Sequence, residues 1–342
     1  MFRCSFRTLV LCLITLLAPF AAASASARGG IGNTTFYVSP TGSDWHSGRS
    51  PAHAWRTVSR VNEARLKPGD RVLFRAGATF GDDTLMPGWG NAVSGTRRAP
   101  VVFGSYESGR ASLPQGIWIK GERHLVFQDL KLGPDQGISG TGSHDTLKEC
   151  GIRDLMGSTE LGVDVIGSHW VIRDNSINRT GDSGMLLRGD HFAVLDNVIT
   201  NTGLDPGITY GSHGIYLKAW DSSVVGNIIT HFRNDGVSVR YRNSFVYDNT
   251  ISGGDFGIAW FQYDLQAGTS VWMNNTISHS GIAGIYVSPS DRGGRTREHF
   301  VIKDNRIYKP SGRRARVATS RWTPFSLSRG RGRYLLRANA VL

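Results

Sequence analysis

The chain has 342 residues, 43 of them glycine, and a formal charge of +12. That length suits one large domain with a substantial core. The charge does not point to a nucleic-acid partner, because eight arginines lie in residues 311–342 and two in the first seven residues. Without those ten, residues 28–310 carry only +2.

Residues 1–27 read as a secretory signal. Arg3 and Arg7 form the positive start, Thr8 to Phe20 the apolar stretch, and Ala25-Ser26-Ala27 a small-residue cleavage site. The apolar run is short for a membrane span, and no later segment is longer. A secreted or periplasmic protein is expected, with no integral membrane segment once the signal is removed. Cys4 and Cys12 fall in the signal, so Cys150 alone remains and no internal disulfide is expected.

Residues 28–100 read as an N-terminal cap with the first irregular coils. Phe36 to Ser39 is a short strand. Apolar residues at Trp55, Val58, Val61, Ala64 and Leu66 have near-helical spacing, and Pro68-Gly69-Asp70 stops that helix. A strand follows from Arg71. A helix at the head of a repetitive β protein suits a cap over the first open coil.

Residues 101–310 repeat. Gly followed by an apolar residue recurs at 116, 137, 162, 184, 214, 236, 257 and 284. A second series, mostly Asn, stands at Asp129, Cys150, Asn175, Asn197, Asn227, Asn249, Asn275 and Asn305. The first six Gly-to-partner distances are all 13, and the last two are 18 and 21. A fixed half and a variable half, with a period near 22, predict a three-sided β-solenoid whose coils bury one continuous column of Ile, Val and Leu. The Asn side chains would stack from coil to coil at a bend, and Cys150 would be a buried, inert thiol.

Side chains alternate along a strand. With Gly as position zero, positions 1 and 3 face in and positions 2 and 4 face out. Position 4 then reads Arg188, Lys218 and Arg240 on consecutive coils. Like charges about 5 Å apart repel by roughly 3 kcal/mol at an effective dielectric of 20. Such a ladder needs solvent, nearby acids or an anionic ligand. His213 and Asp235, just before their glycines, are expected on the same outer face as Tyr216, Lys218 and Arg240. Insertions at 202–210, 262–270 and 289–298 would wall a groove over this face. Tyr210, Phe261 and Tyr263 would supply aromatic surface for sugar rings.

These Gly-Ile-x-Val strands and Asn-x-Ile turns resemble the right-handed parallel β-helix, or pectin-lyase-like, superfamily, over roughly residues 100–310. The resemblance implies an all-β, right-handed, three-sided parallel β-helix with a short capping helix. Lyases, epimerases, hydrolases and non-enzymatic adhesins share that architecture. Lys218 in Tyr-Leu-Lys-Ala and Arg240 in Val-Ser-Val-Arg-Tyr-Arg-Asn, one coil apart, look like the base lysine and acid arginine of polysaccharide lyase family six, the chondroitinase B and alginate lyase group.

That resemblance implies β-elimination on an acidic, uronate-containing polysaccharide. A base takes the carbon-bound proton, an acid protonates the leaving glycosidic oxygen, and the neighbouring carboxylate is neutralised. Lys218 would be the base and Arg240 the acid. Arg188, His213, Tyr216, Asp235, Tyr210, Phe261 and Tyr263 would contact substrate. The family also holds calcium through acidic residues shortly before the lysine. Here Tyr210-Gly211-Ser212-His213 stands in that place with no Glu, so His213 or Arg188 would have to replace the metal.

A C5-epimerase shares the first proton abstraction. A glycoside hydrolase could use Asp182 and Asp235 as its carboxylates. A binding protein could use the same groove without a base. Residues 311–342 are Arg-rich and lack the repeat. They read as a basic, partly disordered tail, or as a reading-frame artefact or truncated end.

Overall fold

Each Gly-apolar motif opens a strand, and those strands stack in parallel. The protein was analysed as a computed structural model that describes residues 33–89, 93–157, 160–208, 211–261, 267–288, 298–309, 322–327 and 334–342. The expected signal at 1–27 lies outside them. Among the described residues the strands form three parallel sheets of 12, 10 and 9 strands. Successive strands visit the sheets in turn, so each coil gives one strand to each side. This is a three-sided parallel β-helix. No described helix is long and apolar enough to cross a membrane.

The nine-stranded sheet begins with Ile117–Arg123 and runs through every Gly-led strand. Its inward row is continuous from Ile117 to Ile138, Val163, Met185, Ile215, Val237, Ile258 and Ile285. All eight are buried, each contributing about 1.5–3 kcal/mol of apolar burial.

Glycine stands at or just before the start of eight of these strands because the coils approach closely there. A Cβ on Gly214 would lie 2.3 Å from Cγ2 of Ile229 and 2.6 Å from the carbonyl oxygen of Gly236. Gly236 meets Ile251 and Gly257 in the same way.

The expected asparagine stack is present and extends one rung further. Backbone N and Nδ2 of Asn175 donate to Oδ1 of Asn197. The same pair of bonds joins Asn197 to Asn227, then Asn249, Asn275, Asn305 and Asn339. Cys150 closes the near end with its backbone N on Asn175 Oδ1. Asp129 does not belong to this series. Register aligns Cys150 with Leu130, because Gly151 faces Lys131. A bulge between Lys120 and Glu122 adds one residue to the first coil and misleads the distance count.

Asp129 belongs instead to a column of left-handed bend residues that includes Glu149, Asp174, Asp196, Asp248 and Asp304. A second column holds His124, His144, His169 and His191, whose imidazoles stack at 4.9, 4.5 and 4.6 Å. Asp, Asn and His tolerate positive φ better than most residues.

The capping helix is shorter than its spacing predicts, spanning Val58–Asn62 with the Thr57 hydroxyl as N-cap. Val58 and Val61 join the core, and Trp55 stacks on Phe36 at 4.6 Å. At the other end the repeat does not stop at 310. Thr323–Leu327, Tyr334–Arg337 and Ala340–Val341 add one strand to each sheet. Register puts Phe325 opposite Ile285, with Pro324 at the glycine position. That exchange hides the coil from a search for Gly-led strands.

Candidate active site

The basic ladder forms on the outer face of the nine-stranded sheet. Arg188, on Met185–Asp190, pairs in register with Lys218, on Ile215–Trp220. Leu217 faces Val239, and the Arg240 N–H donates to the Leu217 carbonyl at 3.0 Å, so Arg240 occupies the next rung.

Aromatic rings accompany two of these charges. Lys218 Nζ lies 4.5 Å from the centre of the Tyr216 ring and the Arg240 guanidinium 5.1 Å from it. Arg240 also lies 4.6 Å from the Phe261 ring. A cation over a ring face gains roughly 0.5–1 kcal/mol at an exposed site.

Phe261 continues into Tyr286 at 5.3 Å, and Phe256 stacks on Tyr286 at 4.5 Å. Neither Phe256 nor Tyr286 is among the substrate-contacting residues expected from sequence. The alternation that places Tyr286 outward was the available signal for it.

Arg188 forms an ion pair with Asp164, two residues before Ile166 on the preceding coil. Burial raises the Asp164 carboxyl above its ordinary range, while Arg188 and Lys218 pull it back down. Arg188 therefore comes with a counter-ion. Among the described residues Lys218 has no ion pair.

His213 and Asp235 are buried rather than open to solvent. Their side chains are only 4% and 3% exposed, with Nδ1 and Oδ2 3.0 Å apart. That is ion-pair distance without hydrogen-bond alignment, and neither imidazole nitrogen has a hydrogen-bond partner. The residue one step before the glycine does not follow inward strand parity here, since Phe256, in register with Asp235, stacks on the outward Tyr286. The His213 ring packs 4.5 Å from the Tyr216 ring. The buried pair thus packs against Tyr216 and is closed to a polymer as it stands.

Tyr210 and Tyr263 lie outside the described residues. In the insertion before Lys218, Gly203, Leu204 and Asp205 hydrogen-bond back to Asp182, Thr180 and Gly181. The Arg233 guanidinium holds the Asp205 carbonyl at 2.6 Å.

The acids around Lys218 do not suit calcium, which takes six to eight oxygen ligands. Asp164 is paired with Arg188, Asp235 is buried against His213, and Asp182 accepts the Ser183 hydroxyl. Among the described residues one group, His169, Asp190 and His191, brings three donor atoms within 4.8 Å of one another. Two imidazoles make it a nitrogen-rich set unlike a calcium cage.

Comparison with known proteins supports the architecture. Residues 205–320 match a family model described as the right handed beta helix region. An alginate lyase from Paenibacillus sp. str. FPU-7 superimposes with a TM-score of 0.61 at 14% identity, covering 81% of this chain and 97% of that one. A protein described as a glycoside hydrolase gives 0.63 at 8%, covering 90% and 96%. Pectate lyase Pel9A gives 0.55 at 15%, covering 92% and 78%. No curated protein matches in sequence. The chain has the right-handed parallel β-helix fold of pectin-lyase-like proteins. At these identities the likeness concerns fold, and the shared fold carries polysaccharide-active proteins of more than one reaction type.

Proposed function

We propose that this protein is a secreted or periplasmic lyase that cleaves an acidic, uronate-containing polysaccharide by β-elimination on the outer face of the nine-stranded sheet. The observation that carries this reading is the in-register run Arg188, Lys218, Arg240, with Tyr216 and Phe261 beside it. Cations at strand spacing suit carboxylates along a polymer, and ring faces suit the apolar faces of sugars.

In this mechanism the Lys218 amine removes the proton on the carbon beside the uronate carboxylate. The electron pair moves to form the carbon–carbon double bond, and the glycosidic C–O bond on the next carbon breaks. Arg240 donates a hydrogen bond or proton to the departing oxygen. Arg188 faces the carboxylate, exchanging part of its contact with Asp164 for the substrate. A hydrolase using Asp182 and Asp235 is disfavoured by the burial of Asp235 against His213.

The test is incubation with alginate, pectate, chondroitin and heparin-type polymers, followed by ultraviolet absorbance of unsaturated uronate. A rising signal on one polymer supports the lyase. Reducing ends without absorbance would indicate a hydrolase, inverted uronates without cleavage an epimerase, and binding alone a non-catalytic protein.

A further inference from the structure

The outer face carries a second aromatic and basic patch far from Lys218. Trp118 and Lys120 hold positions 2 and 4 of the first Gly-led strand, Ile117–Arg123. Trp89 reaches them from the turn before the sheet. Its ring lies 5.8 Å from Trp118, Lys120 Nζ is 5.5 Å from its centre, and it is 56% exposed.

Register ties this patch to the candidate active site. Trp118 faces Ser139, then Asp164, Leu186 and Tyr216, all in one outward row. Lys120 leads the parallel row through Thr141, Ile166 and Arg188 to Lys218. Four strand spacings of about 4.8 Å separate Trp118 from Tyr216, or about 19 Å. Between them no ring interrupts the first row. Two adjacent outward rows with an aromatic–cation pair at each end thus run along the helix axis.

We propose that Trp118, Trp89 and Lys120 form a remote subsite for the same acidic polysaccharide, several sugar rings from the point of cleavage. This rests on the lyase reading and adds a substrate-length requirement to it. Trp118 and Trp89 stack on a sugar ring, and Lys120 meets its carboxylate. The charge of the row, with Lys120 at one end and Lys218 at the other, favours an anionic polymer over a neutral one. Longer chains that span both patches bind better and turn over faster at low concentration than chains that reach only Lys218.

The experiment measures kcat/KM on size-fractionated oligomers, from dimer to decamer, of whichever uronan yields unsaturated product. Trp118→Ala, Trp89→Ala and Lys120→Ala are each compared with the wild type. Trp89 and Lys120 are exposed, so their variants report even if Trp118→Ala disturbs folding. The expected result is at least a tenfold loss on the longest oligomers and no change on the shortest, arising in KM. Equal losses at all lengths, or none, would overturn the remote subsite while leaving the lyase reading intact.

If the wild type yields no unsaturated product, the lyase reading fails. Affinity electrophoresis in gels containing each polymer then tests the patch alone. Retardation by an acidic polymer that is lost in Trp89→Ala and Lys120→Ala supports it. Retardation that is unchanged in them, or absent in the wild type, overturns it.

Discussion

Asn227 and Asn249 are joined across one coil by two hydrogen bonds. The backbone N and the Nδ2 of Asn227 both donate to Oδ1 of Asn249, at 2.9 and 3.0 Å. Asn249 Nδ2 in turn reaches the carbonyls of Val224 and Tyr247 and the next rung, Asn275. The side-chain amides of this ladder are all committed to its neighbours.

Asn249→Ala therefore leaves donors and acceptors unpaired on three coils at once. Each buried orphan costs about 1–3 kcal/mol. The urea midpoint should fall by an amount equivalent to about 3 kcal/mol. A loss under about 0.5 kcal/mol, the size of an ordinary surface change, would show that the ladder is incidental.

Asp145 should give stability an unusual pH slope. It is fully buried, Oδ1 accepts the Leu125 N–H at 2.7 Å, and Oδ2 has no partner. Burial, reinforced by the nearby Glu122, raises its carboxyl to about 8. A raised carboxyl means that the folded state holds a proton the unfolded state has released. Its stabilisation is full below the ordinary carboxylate range and is lost as pH rises toward 8. Within that window one proton gives a slope of up to about 1.4 kcal/mol per pH unit. Urea melts at pH 5.5, 6.5 and 7.5 should show falling stability, and Asp145→Asn should flatten the trend. An unchanged slope in the variant would assign it to other groups.

Cys150 should be chemically silent while the protein is folded. The thiol is fully buried, and burial pushes it up to about 12. Iodoacetamide at pH 8 should leave the peptide carrying Cys150 unmodified until denaturant is added. Prompt labelling of the native protein would mean that the coil opens there.

Tyr216 should matter through its ring. Replacing it by Leu removes two cation–ring contacts, together worth roughly 1–2 kcal/mol, so kcat/KM should fall about 5- to 30-fold. Tyr216→Phe keeps the ring and should keep most of the activity. Equal losses in both variants would instead assign the role to the hydroxyl.

The sequence carries the coil architecture because its two series record physical necessities. Gly214 and its equivalents avoid a steric clash, and the Asn side chains close a buried bend. Pro324 escapes this reading because it fills the glycine position with a residue that breaks the pattern while keeping the register. Asp129 escapes it because a bulge shifts the count by one residue. In the candidate site, alternation alone places Arg188, Lys218, Tyr216 and Arg240 correctly in their rows. It does not anticipate the burial of His213 and Asp235, which the reading from sequence leaves open on the outer face. The cation–ring contacts and the Arg188–Asp164 pair depend on side-chain direction between coils, which spacing along the chain does not encode.

The most direct test of the account is unsaturated-product formation by Lys218→Met on the polymer that the wild type cleaves, with folding checked by circular dichroism. Methionine fills a similar volume and carries no base. The account predicts a folded protein that still binds the polymer and whose product formation falls by at least about a hundredfold, the lower range for a general base. A folded Lys218→Met protein that cleaves within a few-fold of the wild-type rate would contradict it.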